Sequence, residues 1–322
     1  MMAIRGPGNV LSNWLDEPVA VMRIEIVRIL APLAILGFMS ARLAHADEWI
    51  GDAGFRVPDL GGDWRQPVFV PALPSGLAWA VAATMVASGI ACSAGWKTRA
   101  SAFVFASTLA FVALSDRLAA FTVSKLSPAV MLAVALGPAG TRLGADAWWK
   151  ARKGEGTRGS ARPRPDRDSG RATEAFQPSR SIRFLQLLPV TIYSASGIAK
   201  ARGDWLKVPL VLWSHLHDSY QTPFSFALAS ILPGWAWTVF QGLVLVFEVL
   251  APLWFALPRT REAALVFGLG MHAMIGLMFG PVLWFALLMM TLLAAGYVPD
   301  RLLAPLDALA DRVQGSRADD TR

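Results

Sequence analysis

The chain has 322 residues, of which 54% are apolar and only 16% charged, whereas a soluble domain of this length carries about a quarter charged residues. Its net charge of +7 does not mark a nucleic-acid binder, because the excess is local: residues 150–183 hold ten Lys or Arg against four Asp or Glu, a net six of the seven charges. The one cysteine, Cys92, excludes an intrachain disulfide framework and a CxxC redox pair.

Apolar blocks of membrane-spanning length recur along the chain. They predict an all-α integral membrane protein of about eight transmembrane helices, in two four-helix halves joined by a basic cytoplasmic linker. The spans read as 21–43, 74–95, 100–115 and 119–139, then 184–200, 236–257, 263–279 and 281–298. No convincing small-residue cleavage site follows the first block, so a cleaved leader is not expected. Residues 150–183 are rich in Gly, Pro, Ser and charge, a composition that cannot bury a core and predicts a flexible linker. The division is therefore an N-terminal half over 1–149, the linker over 150–183, a C-terminal half over 184–298 and an exposed cytoplasmic tail over 299–322.

Loop charge gives an orientation in the cell (inner) membrane. With the linker in the cytoplasm, Lys97 and Arg99, Arg259 and Arg261, and both termini fall on the same side, as positive cytoplasmic loops require. The opposite side receives the acidic stretch 44–73 and the aromatic stretch 201–235. The latter carries Trp205, Trp213, Tyr220, Phe224 and Phe226. Those rings read either as an interfacial belt or as a cap over a substrate entrance.

Charged groups inside a span are costly unless paired or wetted, so each one demands a reason. Tyr193, Ser196, Gly197 and Lys200 recur at i, i+3, i+4 and i+7 and share a helix face. Lys200 is then either a membrane-edge anchor reaching the headgroups or a reactive amine in a cavity. Glu248 lies within the sixth span, with Gln241 on the same face. It reads as a functional carboxylate or as a structural partner for an arginine such as Arg28, itself the deepest charge of the first span, beyond Arg23 and Glu25. His272 shares a face with Gly268 and Gly276, where a neighbouring helix can approach closely. It suits either an interhelical hydrogen bond or proton transfer. His215, His217 and Asp218 have ligand chemistry, but no further histidine cluster supports them, and no metal site is assigned.

The stretch "YSASGIAKARGDW", residues 193–205, and the stretch running from "FEVLAPLWF" through "PRTREAALVFGLGMHAMIGLMFG" resemble the transmembrane domain shared by vitamin K-dependent gamma-carboxylases and the bacterial horizontally transferred transmembrane (HTTM) proteins. The likeness covers 184–298 well. It extends to the first half only through Arg28, the "GWKTR" turn and "GADAWW". In the carboxylases the lysine at the position of Lys200 deprotonates reduced vitamin K. Oxygenation then supplies a stronger base, which takes a proton from a glutamate side chain before carbon dioxide is captured. The resemblance thus implies Lys200, His272 and Glu248 as catalytic residues, Tyr193, Ser196 and Trp205 around a reduced, vitamin K-like quinone, and the bilayer, a quinone and an exported peptide as partners. Burial of an amine disfavours the ammonium form, which fits a lysine acting as a base. The histidine that the carboxylases use in their first half has no counterpart here, since His45 lacks a matching context.

Two functional readings follow. One is a membrane enzyme, carboxylase- or lyase-like and coupled to quinol oxidation, that acts at the outer face on a quinol, lipid or exported peptide. The other is a non-catalytic helper for export or maturation of a secreted peptide, in which Glu248 and His272 pair across helices and Lys200 anchors the fifth span.

Overall fold

The computed structural model describes residues 7–54, 70, 72–115, 121–153, 176–217 and 220–315. Most of the expected linker, 154–175, lies outside the described residues. The chain divides into two compact units: one runs to Phe184 and includes the segment from Asp300 onward, and the other is Leu185–Pro299.

The first unit opens with α1 (Pro7–Asp16) and the short strand β1 (Pro18–Ala20), followed by α2 (Met22–Ala44) and the single turn α3 (Ala46–Trp49). Next come α4 (Ser75–Ala94), α5 (Thr98–Ser115), α6 (Thr122–Leu136) and α7 (Ala145–Lys153). Strand β2 (Phe176–Pro178) pairs antiparallel with β1, placing Val19 opposite Gln177, a small ribbon that the helical reading did not foresee. Helices α2, α4, α5 and α6 pack into one bundle. Helix α8 (Arg180–Arg202) begins in this unit and belongs to the second from Leu185.

The second unit continues with a 3-10 turn at Asp204–Leu206, then α9 (Val211–His215), α10 (Pro223–Ile231), α11 (Gly234–Val249) and α12 (Ala251–Ala256). Helix α13 (Pro258–Met278), a 3-10 turn at Gly280–Val282 and α14 (Leu283–Tyr297) complete it. Helices α13 and α14 pack against each other, with Gly268 facing Leu293 and Gly276 facing Leu283 and Ala286. At the far end Gln186 Nε2 donates to Gly296 O at 2.8 Å, and the Tyr297 hydroxyl donates to Gln186 O at 2.5 Å.

Among the described residues, six segments are long and apolar enough to cross a membrane: α2, α4, α5, α8, α13 and Gly280–Tyr297. This is a multi-pass, helical membrane protein. The eight predicted spans all fall on helices, but two fall short of the crossing length. The fourth is α6, with 15 residues. The sixth is broken into α11 and α12 at Leu250. Pro252 is the reason: its ring nitrogen has no hydrogen to give the carbonyl of Glu248, four residues back.

The first unit is held at one end by a buried ionic cluster. Arg28 is 1% exposed. Its Nε donates to Glu25 Oε2 at 2.7 Å, Nη1 donates to the carbonyls of Cys92 (3.0 Å) and Ser93 (2.6 Å), and Nη2 donates to Leu143 O. The second oxygen of Glu25 accepts from the Arg142 amide at 3.0 Å. Gly95 makes the cluster possible by ending α4 in the left-handed region (φ +73°), where a Cβ would lie 2.9 Å from Arg28 Nη1. Arg28 thus forms a structural ion pair with Glu25, which is fully buried with it.

Most of the described tail is exposed as expected, but it is helical and docked. Residues 300–315 form helix α15 (Asp300–Gly315), which packs on α7 and α2. Leu303 and Ala310 are buried, Arg142 pairs with Asp307 (3.3 Å) and Asp311 (2.9 Å), and Arg23 pairs with Asp300 (2.6 Å). Three of its acids, Asp300, Asp307 and Asp311, are the partners of two arginines. Burial pushes the Asp307 carboxyl above the usual carboxylate range, with Arg142 pulling the other way.

Replacing Arg28 with Ala strips Glu25 and three carbonyls of their partner. It is expected to cost about 3–5 kcal/mol, the usual effect of breaking a buried ion pair, seen as a large fall in the thermal midpoint of the detergent-solubilised protein. A midpoint unchanged from wild type would contradict this assignment.

Candidate functional site

The six residues singled out by sequence, Tyr193, Ser196, Lys200, Trp205, Glu248 and His272, all line one cavity of about 730 Å³ within the second unit. Its wall comes from α8, the 204–216 segment, α11 and α13, with Phe285 from α14. The rest of the lining is mostly aliphatic and aromatic. The volume falls in the roughly 300–1,000 Å³ range of ligand and cofactor pockets.

The spacing of α8 places Tyr193, Ser196 and Lys200 on the cavity wall. Gly197, on the same face, sets how close α11 comes. A Cβ there would lie 2.7 Å from Val249 N and 2.9 Å from Glu248 C, so only glycine lets the two helices cross at this distance. The crossing falls at the end of α11, where Pro252 breaks the helix. Glu248 therefore reaches Lys200: Nζ and Oε1 are 2.6 Å apart, with side-chain exposures of 24% and 7%. The Lys200 ammonium also lies 4.5 Å from the centre of the Trp205 ring, within cation–π range. The alternative that made Glu248 the partner of Arg28 is overturned, because each acid takes a nearer cation: Glu248 takes Lys200, and Glu25 takes Arg28. Nor does Lys200 run free towards headgroups, since its nitrogen meets a carboxylate and a ring face.

Trp205 is held from the other side. Gln241 is 3% exposed. Its Nε2 donates to Trp205 O (2.7 Å) and Val208 O (3.1 Å), and its Oε1 accepts from Leu212 N (3.1 Å). One amide thus ties the 205–212 segment to α11. The sequence reading put Gln241 on the Glu248 face but missed this anchoring role, which couples residues about thirty positions apart.

A second polar pair lies deeper. The Tyr193 hydroxyl is 2.7 Å from His272 Nε2, in a setting of rings that includes Phe247 at 5.1 Å and Phe255 at 6.5 Å from Tyr193. A neutral imidazole that accepts the Tyr193 proton at Nε2 carries its own proton on Nδ1. His272 Nδ1, Glu248 Oε2 and Trp237 Nε1 are buried and have no hydrogen-bond partner among the described residues. All three belong to residues that line the cavity. Unmade hydrogen bonds of this kind cost about 1–3 kcal/mol each, and they concentrate here. Trp237 was not foreseen; as one of several tryptophans in an apolar run, it carried no distinguishing signal.

His215 also lines the cavity. His217 Nδ1 lies 2.9 Å from Trp213 O, with its ring 4.0 Å from that indole, and Asp218 lies outside the described residues. Among the described residues no three His, Cys, Asp or Glu side chains group as metal ligands. Within the stretch 201–235, Trp205, Tyr220 and Leu228 line the cavity, while Phe226 and Trp235 are exposed.

No protein-family model, curated protein or solved structure matches this chain.

Gly197→Ala is expected to force α8 and α11 apart and destabilise the protein by about 1–3 kcal/mol, the cost of overpacking. Gly242→Ala, where a Cβ meets nothing within 4 Å, is expected to be neutral or to stabilise by up to about 1 kcal/mol, as in a helix interior. Thermal unfolding of the two variants side by side checks the pair; equal effects would contradict the close crossing.

Proposed function

We propose that this chain is a membrane enzyme of the HTTM and vitamin K-dependent carboxylase-like type, in which the Lys200–Glu248 pair accepts a proton from a hydroxyl-bearing, lipid-soluble substrate such as a reduced quinone. In this reading the chain lies in the inner membrane with both termini cytoplasmic and crosses eight times, α6 and the α11–α12 pair being the two short crossings. The observation that carries it is the 2.6 Å contact of Lys200 with Glu248 on the wall of a largely apolar cavity that Tyr193 and His272 also line.

The residues present fit a quinol. Aliphatic and aromatic side chains suit a flat ring and its tail, and the polar groups are few and local, as in cofactor sites generally. A quinol, when bound, would supply an acidic hydroxyl and, with dioxygen as the oxidant, the stronger base needed to take a less acidic proton elsewhere. Trp205 and Phe240 offer ring faces. Lys200 and Glu248 present a nitrogen and a carboxylate oxygen in contact, and as an opposite pair they carry no net charge into the apolar wall. Tyr193 and His272 form a second proton-holding pair on the same cavity. Exclusion of water by the surrounding side chains strengthens each of these interactions.

The helper reading draws on the same contact, because an ion pair across two helices also serves as a structural clamp. The two readings separate in cells that lack the gene and are complemented with wild type or Lys200→Ala. Mass spectrometry of quinones, lipids and exported peptides is expected to show a product that wild type restores and Lys200→Ala does not, although the variant inserts to the normal level. A mass gain of one carboxyl group on a peptide glutamate would identify the reaction as carboxylation. Full restoration by Lys200→Ala would remove the lysine from the chemistry and leave the helper.

A further inference from the structure

Between Asp218 and Glu248 the sequence holds no Asp, Glu, Lys or Arg. This uncharged run is longer than a single crossing requires, yet its first half was expected to be an outer loop. In the structure it forms α10 and α11, whose axes are bent by 117° at the Leu232–Pro233 break. A bend beyond a right angle turns the chain back on itself, so α10 and α11 make an elbow and not a straight span.

The two sides of the elbow differ. Inward, Leu228, Trp237, Phe240 and Val244 line the cavity, and Leu228, Ala229 and Leu232 pack on the cluster of Leu216, Trp237 and Met278. Outward, the residues are large, apolar and bare: Phe226 is 62% exposed, Ile231 77% and Trp235 70%. This outward face continues into Val239 and Val246 of α11, which are also exposed. A contiguous apolar surface of this kind does not face water in a stable protein.

The backbone of the elbow is prepared for a solvent that offers no hydrogen bonds. Thr222 and Ser225 form a reciprocal capping box at the start of α10, with Ser225 N to Thr222 Oγ1 at 3.1 Å and Thr222 N to Ser225 Oγ at 2.9 Å. The Thr222 hydroxyl also donates to Leu277 O at 2.7 Å, fixing α10 to the end of α13. Pro223 and Pro233 stand at the two helix starts, where they bring no amide hydrogen. Leu232 N closes on Leu228 O at 3.0 Å and Ala236 N on Pro233 O at 3.0 Å.

We propose that the α10–α11 elbow is embedded in the bilayer, with Phe226, Ile231 and Trp235 seated among lipid acyl chains while its other side roofs the cavity. The occupant of the bare face is lipid, because the face carries no charge, runs on into the exposed side of α11 and starts from a helix end capped within the chain. The roof of the cavity is then bathed by lipid. This inference does not rest on the catalytic reading and stands or falls separately from it.

The test uses the full chain in phospholipid nanodiscs. Phe226→Cys and Ile231→Cys, each made in a Cys92→Ala background and labelled with bimane, are compared with Asp52→Cys on an exposed acidic turn. Quenching by acyl-chain nitroxide lipids is expected to exceed quenching by aqueous iodide several-fold at 226 and 231, and to be the weaker of the two at 52. Stronger quenching by iodide at 226 and 231 would overturn the proposal. So would quenching by neither reagent together with disulfide cross-linking between two copies, which would assign the face to a second subunit. A measurement on the unmodified chain covers variants that fail to fold. Photoactivatable phosphatidylcholine is expected to label peptides containing 224–235, and labelling confined to the six spanning segments would also overturn it.

Discussion

A lysine and a glutamate held 2.6 Å apart on the wall of an apolar cavity set the terms for the second unit. Either charge alone would be expensive to keep in such surroundings; together they are neutral from a distance. The local architecture brings them together and keeps them so. Gly197 removes the one side chain that would hold α8 away from α11. Pro252 ends α11 where Glu248 has to turn towards Lys200. Gln241 fastens the 205–212 segment so that the Trp205 ring covers the ammonium. Each is a small device, and each acts on the same contact.

The first unit offers a comparison within one molecule. Its buried pair, Arg28 with Glu25, is fully occupied by structural partners: Nε, Nη1 and Nη2 of Arg28 all donate, and both oxygens of Glu25 accept. These four donations from Arg28 fasten helix ends. The Lys200–Glu248 pair is different. One carboxylate oxygen of Glu248 has no partner among the described residues, as is also true of His272 Nδ1 and Trp237 Nε1, and a cavity lies alongside. Incomplete satisfaction at this depth is costly for folding alone.

Much of this was legible in the sequence for definite reasons. Helix positions follow from apolar runs, and the shared face of Tyr193, Ser196 and Lys200 follows from the helical period. Which partners meet did not follow. Lys200 and Glu248 are 48 residues apart, and only the crossing at Gly197 decides that they touch rather than Glu248 serving an arginine. The broken sixth span carried a readable sign, a proline four residues after an intramembrane acid, whose consequence lay in backbone hydrogen bonding instead of hydropathy. The docking of the tail was not legible, because Asp307 and Asp311 resemble solvated charges until Arg142 is seen beside them. The β1–β2 ribbon joins segments more than 150 residues apart, and a three-residue strand has no periodicity to read.

The central claim is that Lys200 and Glu248 act as one unit. A double-mutant cycle measures that most directly, with Lys200→Met, Glu248→Gln and the double variant compared with wild type by reversible unfolding in the same detergent. A coupling of about 0.5–3 kcal/mol between the two substitutions is the predicted result, as for residues in direct contact. Effects that add to within about 0.3–0.5 kcal/mol, as for independent sites, would contradict it.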